Sequence, residues 1–314
     1  MNKNSSIYVA GHTGLVGSAV LAELTRRGYR NILVRTREEL DLTRQDAVER
    51  FFAEVRPEYV FLAAAKVGGI MANSTYPADF ITDNLIISSN IITAAYRYGA
   101  AKLLNLGSSC IYPKLAPQPL KEEYLLSGPL EPTNEAYAVA KIAAIKMCSA
   151  FNRQYGTDFV SVMPTNLYGP HDNFDPVTSH VLPGLIRKFH EGKVHGGPVV
   201  LWGDGTPKRE FLYSEDLAAI LVDVMERIHA GDAGEFINIG TGQDITISEL
   251  AGIIMEVTGY SGELRWDTDK PNGTPKKLLD VTRMHDLGLA AGTPLRGGIE
   301  KTYRWFLENE AAGG

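Results

Sequence analysis

Short apolar runs alternate with longer amphipathic ones through the first half of this chain, and that alternation constrains the fold more than any other feature. IYVA (7–10), NILVR (31–35), YVFLAAA (59–65), KLLNLG (102–107) and DFVSVMP (158–164) read as strands. Between them, residues 15–27, 44–55, 77–98 and 134–155 carry helical patterns, and Pro57 closes the second of these. Strands separated by helices imply a parallel sheet. The runs are continuously apolar rather than alternating, as strands covered on both faces are. After Pro164 the texture changes: residues 164–212 are rich in Pro, Gly, His and Asn. Helical pattern returns at 214–230, a strand at EFINIG (235–240), a helix near 247–258, a short strand near 263–266 and a last helix from Gly298.

A chain of 314 residues, 44% apolar and 22% charged, can bury a large core. A net charge of −6 gives no basic footprint for nucleic acid. The two cysteines, Cys110 and Cys148, form no zinc-spaced cluster. The first residues pass from a polar leader into a strand without a signal-peptide core, and no run approaches the ~18 apolar residues of a membrane helix. A cytoplasmic protein with reduced thiols is expected.

Gly11-His12-Thr13-Gly14-Leu15-Val16-Gly17 follows the first strand and opens the first helix. Gly11 permits the tight turn, Gly14 lets backbone approach a pyrophosphate, and Gly17 allows close helix–strand packing. The helix N-terminus then offers free N–H groups to phosphate. The second strand ends Arg35-Thr36-Arg37 where NAD-binding folds carry an acidic residue. Two guanidiniums there suit a ribose 2′-phosphate, and point to NADP. Asp41 and Leu42, slightly later, are placed at the adenine end. The expected fold class is α/β, a Rossmann-type doubly wound parallel sheet with a smaller C-terminal substrate lobe. Residues 1–164 form the NADP-binding domain, with 214–240 packing back on it; 165–213 and 241–314 form the lobe.

Tyr137 and Lys141 stand one helical turn apart, so phenol and ammonium share a face. A neighbouring ammonium favours phenolate, which makes the pair a proton donor and acceptor for a carbonyl/alcohol couple. At the exit of the fourth strand, Ser108 or Ser109 can hydrogen-bond the same carbonyl. Cys110 lies two residues after Ser108, and in extended chain both side chains point the same way. Cys148, mid-helix among Ile142, Ile145 and Met147, reads as core. Arg209, before an apolar run, can meet a diphosphate, and Trp202 can stack on a base or fill core.

GxxGxxG, a serine at the fourth strand exit and YxxxK together resemble the extended short-chain dehydrogenase/reductase family, which acts on nucleotide sugars. AAAKVGGI (63–70), GSSCIYPK (107–114), PTNLYGPHDNF (164–174), SHVLP (179–183), WGDGTPKREFLYSEDLA (202–218) and KPNGTPKKLLDVTR (270–283) sharpen the match. They are similar to the members that turn GDP-4-keto-6-deoxy-D-mannose into GDP-L-fucose by 3,5-epimerisation and NADPH-dependent 4-keto reduction. The resemblance implies Ser108, Tyr137 and Lys141 as the reductase triad, and Cys110 and His180 as the epimerisation acid/base pair. It implies residues 11–17, Arg35, Arg37, Ser108, Lys141, Pro164, Asn166, Leu167 and His180 along the NADP site. It places Lys188, Trp202 and Arg209 on the GDP-sugar, and a homodimer through helices 77–98 and 134–155. Asn272 stands where some members carry Asp, and Thr13 where some carry Arg.

A 4-ketone acidifies the hydrogens on C3 and C5, so one base and one acid on opposite faces suffice for both inversions. Cys110 is assigned as base and His180 as acid; Ser108 and Tyr137 stabilise the enolate oxygen. Two other readings compete: an NAD-dependent nucleotide-sugar 4-epimerase or 4,6-dehydratase, and an NADP sensor without turnover. The paired arginines, Cys110 and His180 weigh against the first, Tyr137 and Lys141 against the second.

Overall fold

A computed structural model describes residues 1–270 and 272–311. Pro271, within the 270–283 stretch, and residues 312–314, the end of the expected lobe, lie outside the described residues. The chain starts as β1 (Ile7–Ala10), α1 (Leu15–Arg26), β2 (Ile32–Leu33), α2 (Gln45–Val55), β3 (Tyr59–Leu62), α3 (Ile70–Thr75) and α4 (Pro77–Arg97). It continues through β4 (Lys102–Leu106), α5 (Glu135–Tyr155), β5 (Phe159–Pro164), β6 (Asn166–Tyr168) and α6 (Val181–His195). Then follow β7 (Val199–Trp202), β8 (Lys208–Tyr213), α7 (Ser214–Arg227), α8 (Ala230–Ala233), β9 (Ile237–Ile239) and β10 (Asp244–Thr246). The last elements are α9 (Ile247–Thr258), β11 (Leu264–Asp267), β12 (Lys276–Lys277), α10 (Thr282–Asp286) and α11 (Leu295–Asn309).

The main sheet has the order β2-β1-β3-β4-β5-β9, all parallel. Successive strand residues serve opposite cores. Ile7, Val9, Phe61, Leu104 and Val162 face a core shared with α1 and α7. Tyr8, Ala10, Val60, Leu62 and Leu103 face one shared with α2, α4 and α5. Both faces are buried, which is why the strands read as unbroken apolar runs. The strand order reverses beside β1, so the carboxyl ends of β1 and β3 open the crevice where doubly wound folds bind ligands.

Helix α6, with Leu182, Leu185, Ile186 and Phe189 buried, falls in the stretch where the sequence predicts no element. Those four residues hold helical spacing, but the Pro, Gly and His around them mask it. Together with β7, α9 and α11 they build a third core, that of the lobe. A small sheet runs β10-β8-β12, with β6 also paired to β8. The expected lobe range 241–314 needs correction: Leu279, Val281, Met284 and Leu289 pack into the first core with β1 and β9. Leu120 explains it, since its N–H donates to Leu278 O (2.7 Å) and its carbonyl accepts from Asp280 N (2.9 Å). One buried cation also ties the first core: Lys102, 3% exposed, donates to the carbonyls of Val224, Met225 and Ile228 at 2.8, 3.1 and 2.5 Å. The last helical bond of α7 runs from Ile228 N to Val224 O at 3.0 Å; Lys102 shares that carbonyl and supplies a donor to those of Met225 and Ile228 beyond it.

Candidate active site

The glycine loop has the tightness its sequence requires. Gly11 has φ of +86°, and a Cβ there would stand 2.8 Å from the Ala64 backbone. A Cβ on Gly17 would reach within 2.0 Å of Gly11 O. The loop therefore lies flat between β1, α1 and β3. Gly14 caps α1 without a side-chain acceptor, so the first N–H groups of the helix stay free for an anion. Thr13 and Gly14 are exposed, while His12 is half-buried with an unpartnered Nδ1. Arg35 and Arg37 are exposed past β2; the Arg35 guanidinium lies 5.4 Å from the centre of the Phe51 ring. Free helix N–H groups, a close-approach loop and two open guanidiniums fit a phosphorylated dinucleotide.

Several of the residues placed along this site have side chains engaged by the protein itself. The Val16 side chain is 8% exposed and belongs to the first core, so it offers only backbone. Leu42 packs on the second core. The Asp41 carboxylate is taken by Thr43, accepting from its N–H at 3.0 Å and its hydroxyl at 2.7 Å. Pro164 is buried at the end of β5, Leu167 packs on the first core, and Asn166 donates to Glu210 O at 2.7 Å.

Ser108 leaves β4 extended, and the chain then winds into one 3-10 turn, Ser109–Ile111. The Ser108 hydroxyl caps that turn by accepting from Cys110 N at 3.5 Å. Capping, rather than strand alternation, brings Ser108 and Cys110 together. Lys141 is 4% exposed and donates to Leu106 O at 2.9 Å, with its Nζ 5.7 Å from the centre of the Tyr137 ring. Burial lowers its ammonium to about 8. Burial also raises Tyr137, further raised by Cys110 and partly offset by a bond from Ser108. The sequence predicts a lowered phenol; in the protein's own field desolvation is the largest effect and has the opposite sign.

Burial raises the Cys110 thiol, with Lys277, Ser108 and Lys141 pulling it back. His180 occupies the N-cap position of α6 as an exposed residue without a side-chain capping bond, and the protein around its imidazole and the Lys277 cation both hold it below the usual imidazole range. Both members of the pair are thus driven to their neutral forms, and Lys277 is the cation that acts on each. Sequence reasoning did not single out Lys277. It sits in a polar Pro/Gly/Lys stretch, and only the parallel pairing of β12 with β8, Lys277 beside Arg209, brings it to the site.

Arg209 donates to Lys208 O at 2.8 Å and Thr274 O at 2.6 Å. Trp202 is 58% exposed at the end of β7, with Lys270 Nζ 5.8 Å from its ring centre. Lys188 is half-buried on α6, its ammonium lowered by burial, 3.5 Å from Val200 O. Both belong to the β7 side of the lobe, Lys188 reaching the carbonyl of Val200 and Trp202 ending the strand. Asn272, left out of the site by the sequence reading, accepts from Asp204 N at 2.9 Å and so closes the loop after Trp202. Cys148 is 1% exposed in the second core, its thiol pushed up to about 12 by burial.

Residues 7–240 match the family model described as NAD dependent epimerase/dehydratase family. The chain is 56% identical over 310 residues to a probable GDP-L-fucose synthase 1 of Oryza sativa subsp. japonica, covering 98% of the chain and 94% of that protein. It is 56% identical over 311 residues to the GDP-L-fucose synthase of Escherichia coli (strain K12), covering 97% of each. Among solved structures, a GDP-mannoheptose C4 reductase from Campylobacter jejuni with NADP bound superposes with a TM-score of 0.92 at 40% identity, over 98% of the chain and 99% of its own. The chain belongs to the NAD dependent epimerase/dehydratase family, in the branch that holds the GDP-L-fucose synthases.

Proposed function

We propose that this member of the family converts GDP-4-keto-6-deoxy-D-mannose to GDP-L-fucose, with NADPH as reductant. The reading rests on one arrangement: Cys110 follows the Ser108 cap beside Tyr137 and Lys141, and shares the Lys277 cation with His180. NADPH, when bound, would supply the hydride for C4; residues 11–17, Arg35, Arg37, Lys141 and Asn166 would hold it. The 56% identity to named synthases and the NADP in the solved C4 reductase support substrate and cofactor.

Cys110 and His180 exchange protons with C3 and C5 of the ketone, one residue removing a proton and the other delivering one on the opposite face. Ser108 and Tyr137 hydrogen-bond O4, where enolate charge collects. Tyr137 then gives its proton to O4 during reduction, and Lys141 supplies the positive charge beside the phenol. Arg209, Lys188 and Trp202 hold the GDP portion. No described helix is long and apolar enough to cross a membrane; a cytoplasmic homodimer completes the reading. Ile86 and Tyr96 on α4, and Val139 and Tyr155 on α5, are exposed apolar residues that support pairing through those helices. A dimer mass in solution, lost on Ile86→Asp, is the expected result.

The likeness to a C4 reductase favours one second reading, reduction without epimerisation. A reaction in heavy water separates the two. The expected product carries deuterium at C3 and C5, and Cys110→Ser loses that label while NADPH oxidation on a pre-epimerised substrate persists. NADPH oxidation with no label in the native protein makes it a plain reductase. No oxidation at all refutes both.

A further inference from the structure

Glu210 follows Arg209 in β8 and is completely buried. Its carboxylate is held by backbone. One oxygen accepts from Thr241 N at 2.6 Å and Gly242 N at 2.8 Å; the other accepts from Leu279 N at 3.0 Å. Its own carbonyl accepts from Asn166 Nδ2 at 2.7 Å and Thr165 Oγ1 at 3.3 Å. The space is closed around it, since a Cβ on Gly240 would stand 2.3 Å from the carboxylate. Burial raises this acid and the N–H groups of Leu279 and Gly242 pull it back. A buried carboxylate without such donors would cost several kcal/mol, which makes its retention inside a lobe sheet informative.

The two ends of Glu210 face different halves of the site. The backbone carbonyl grips residues 165 and 166, on the cofactor side. The side chain grips Leu279, two residues beyond Lys277. Strand β12 has only two residues and cannot hold itself in register. Lys276 is taken by Asp244 at 3.0 Å, so alternation turns Lys277 to the opposite face, that of its register partner Arg209. We propose that Glu210 is a positioning residue for substrate: its carboxylate clamps the 277–279 segment so that Lys277 stays beside Arg209, on the GDP-sugar side. This rests on the reading above that the Arg209 side of the site receives the GDP-sugar.

Glu210→Gln keeps the shape and removes one acceptor. Either orientation of the amide turns N–H against N–H, at Leu279 or at Thr241 and Gly242. Expected is a loss of at least tenfold in GDP affinity by calorimetry, with KM for the GDP-sugar raised in step and kcat within threefold. NADPH affinity stays within twofold, because the carbonyl that holds Asn166 is unchanged. In the cycle with Lys277→Met, the double variant binds GDP no worse than the weaker single one. Additive losses, or equal losses of NADPH and GDP affinity, overturn the proposal. Weakened GDP binding in Lys277→Met with none in Glu210→Gln overturns it alone; unchanged GDP affinity in Lys277→Met overturns it together with the reading of the site. Should Glu210→Gln fail to fold, amide hydrogen exchange on the native protein decides. Thr241, Gly242 and Leu279 are expected to exchange as slowly as the core strands and as one unit; Leu279 exchanging at surface-loop rates refutes the clamp.

Discussion

Replacing Lys141 with Met is expected to make the protein more stable and inactive as a reductase. The ammonium is 4% exposed and has one hydrogen bond, to Leu106 O at 2.9 Å. Its fall from 10.5 to about 8, at about 1.4 kcal/mol per pKa unit, places ~3 kcal/mol of charge-burial cost on the folded state at pH 7. Met fills the same channel without charge. It forfeits one hydrogen bond, about 1–2 kcal/mol, so the net gain is about 1–2 kcal/mol, roughly 2–6 °C in Tm. The sign with pH follows from the lowered value. Below about 8 both folded and unfolded chains carry the proton, and the cost is fully present. Between about 8 and 10.5 the folded lysine gives up its proton while the unfolded one keeps it, so the native protein regains stability. The variant cannot, and its advantage shrinks across that window. Urea unfolding at pH 7 and pH 10 measures both differences, and reductase turnover should fall at least ~100-fold. A variant less stable by more than about 1 kcal/mol, or an advantage that does not change with pH, refutes the reasoning.

Lys102→Met has the opposite expected outcome, a loss of about 2–4 kcal/mol in urea, because it removes three hydrogen bonds rather than one and leaves the buried carbonyls of Met225 and Ile228 without their donor. With the thiol raised and the imidazole lowered, deuterium exchange at C3 and C5 should show a plateau, its acid limb below the ordinary imidazole value of 6.5 and its alkaline limb above the ordinary thiol value of 9.0. Lys277→Met should move both limbs upward, since the cation lowers both groups; a stationary pair of limbs would show that it does not face them. Arg35→Ser with Arg37→Ser should raise the NADPH Kd at least ~10-fold and leave NADH binding unchanged, as read by cofactor fluorescence.

The long helices were legible because their periodicity is local: α4, α5 and α9 lie within a residue or so of the boundaries read from sequence. The glycine loop, Ser108 and the Tyr137–Lys141 turn were legible for the same reason. Residues positioned by distant pairing were not. Nothing in the local sequence singles out Lys277 or Glu210; only the pairing of β12 with β8 gives them a place. Residues 279–289 read as lobe until Leu120 draws them into the first core. Val16 and Leu42 show the reverse error, in which a motif assigns ligand contacts to side chains that packing claims first.

Strand β9 carries a consequence for how the chain comes off the ribosome. The sheet's sixth strand lies at Ile237–Ile239 and pairs with β5, while α7 covers α1. A nascent chain that has just completed β5 therefore exposes an apolar, unpaired strand edge and a bare helix face, and must wait some 70 residues for cover, roughly 4–15 s at ordinary translation rates. The cofactor half is not a module that can be cut at Pro164 and grafted elsewhere. A swap of substrate lobes between relatives has to leave residues 214–240 and 279–289 with their original partner.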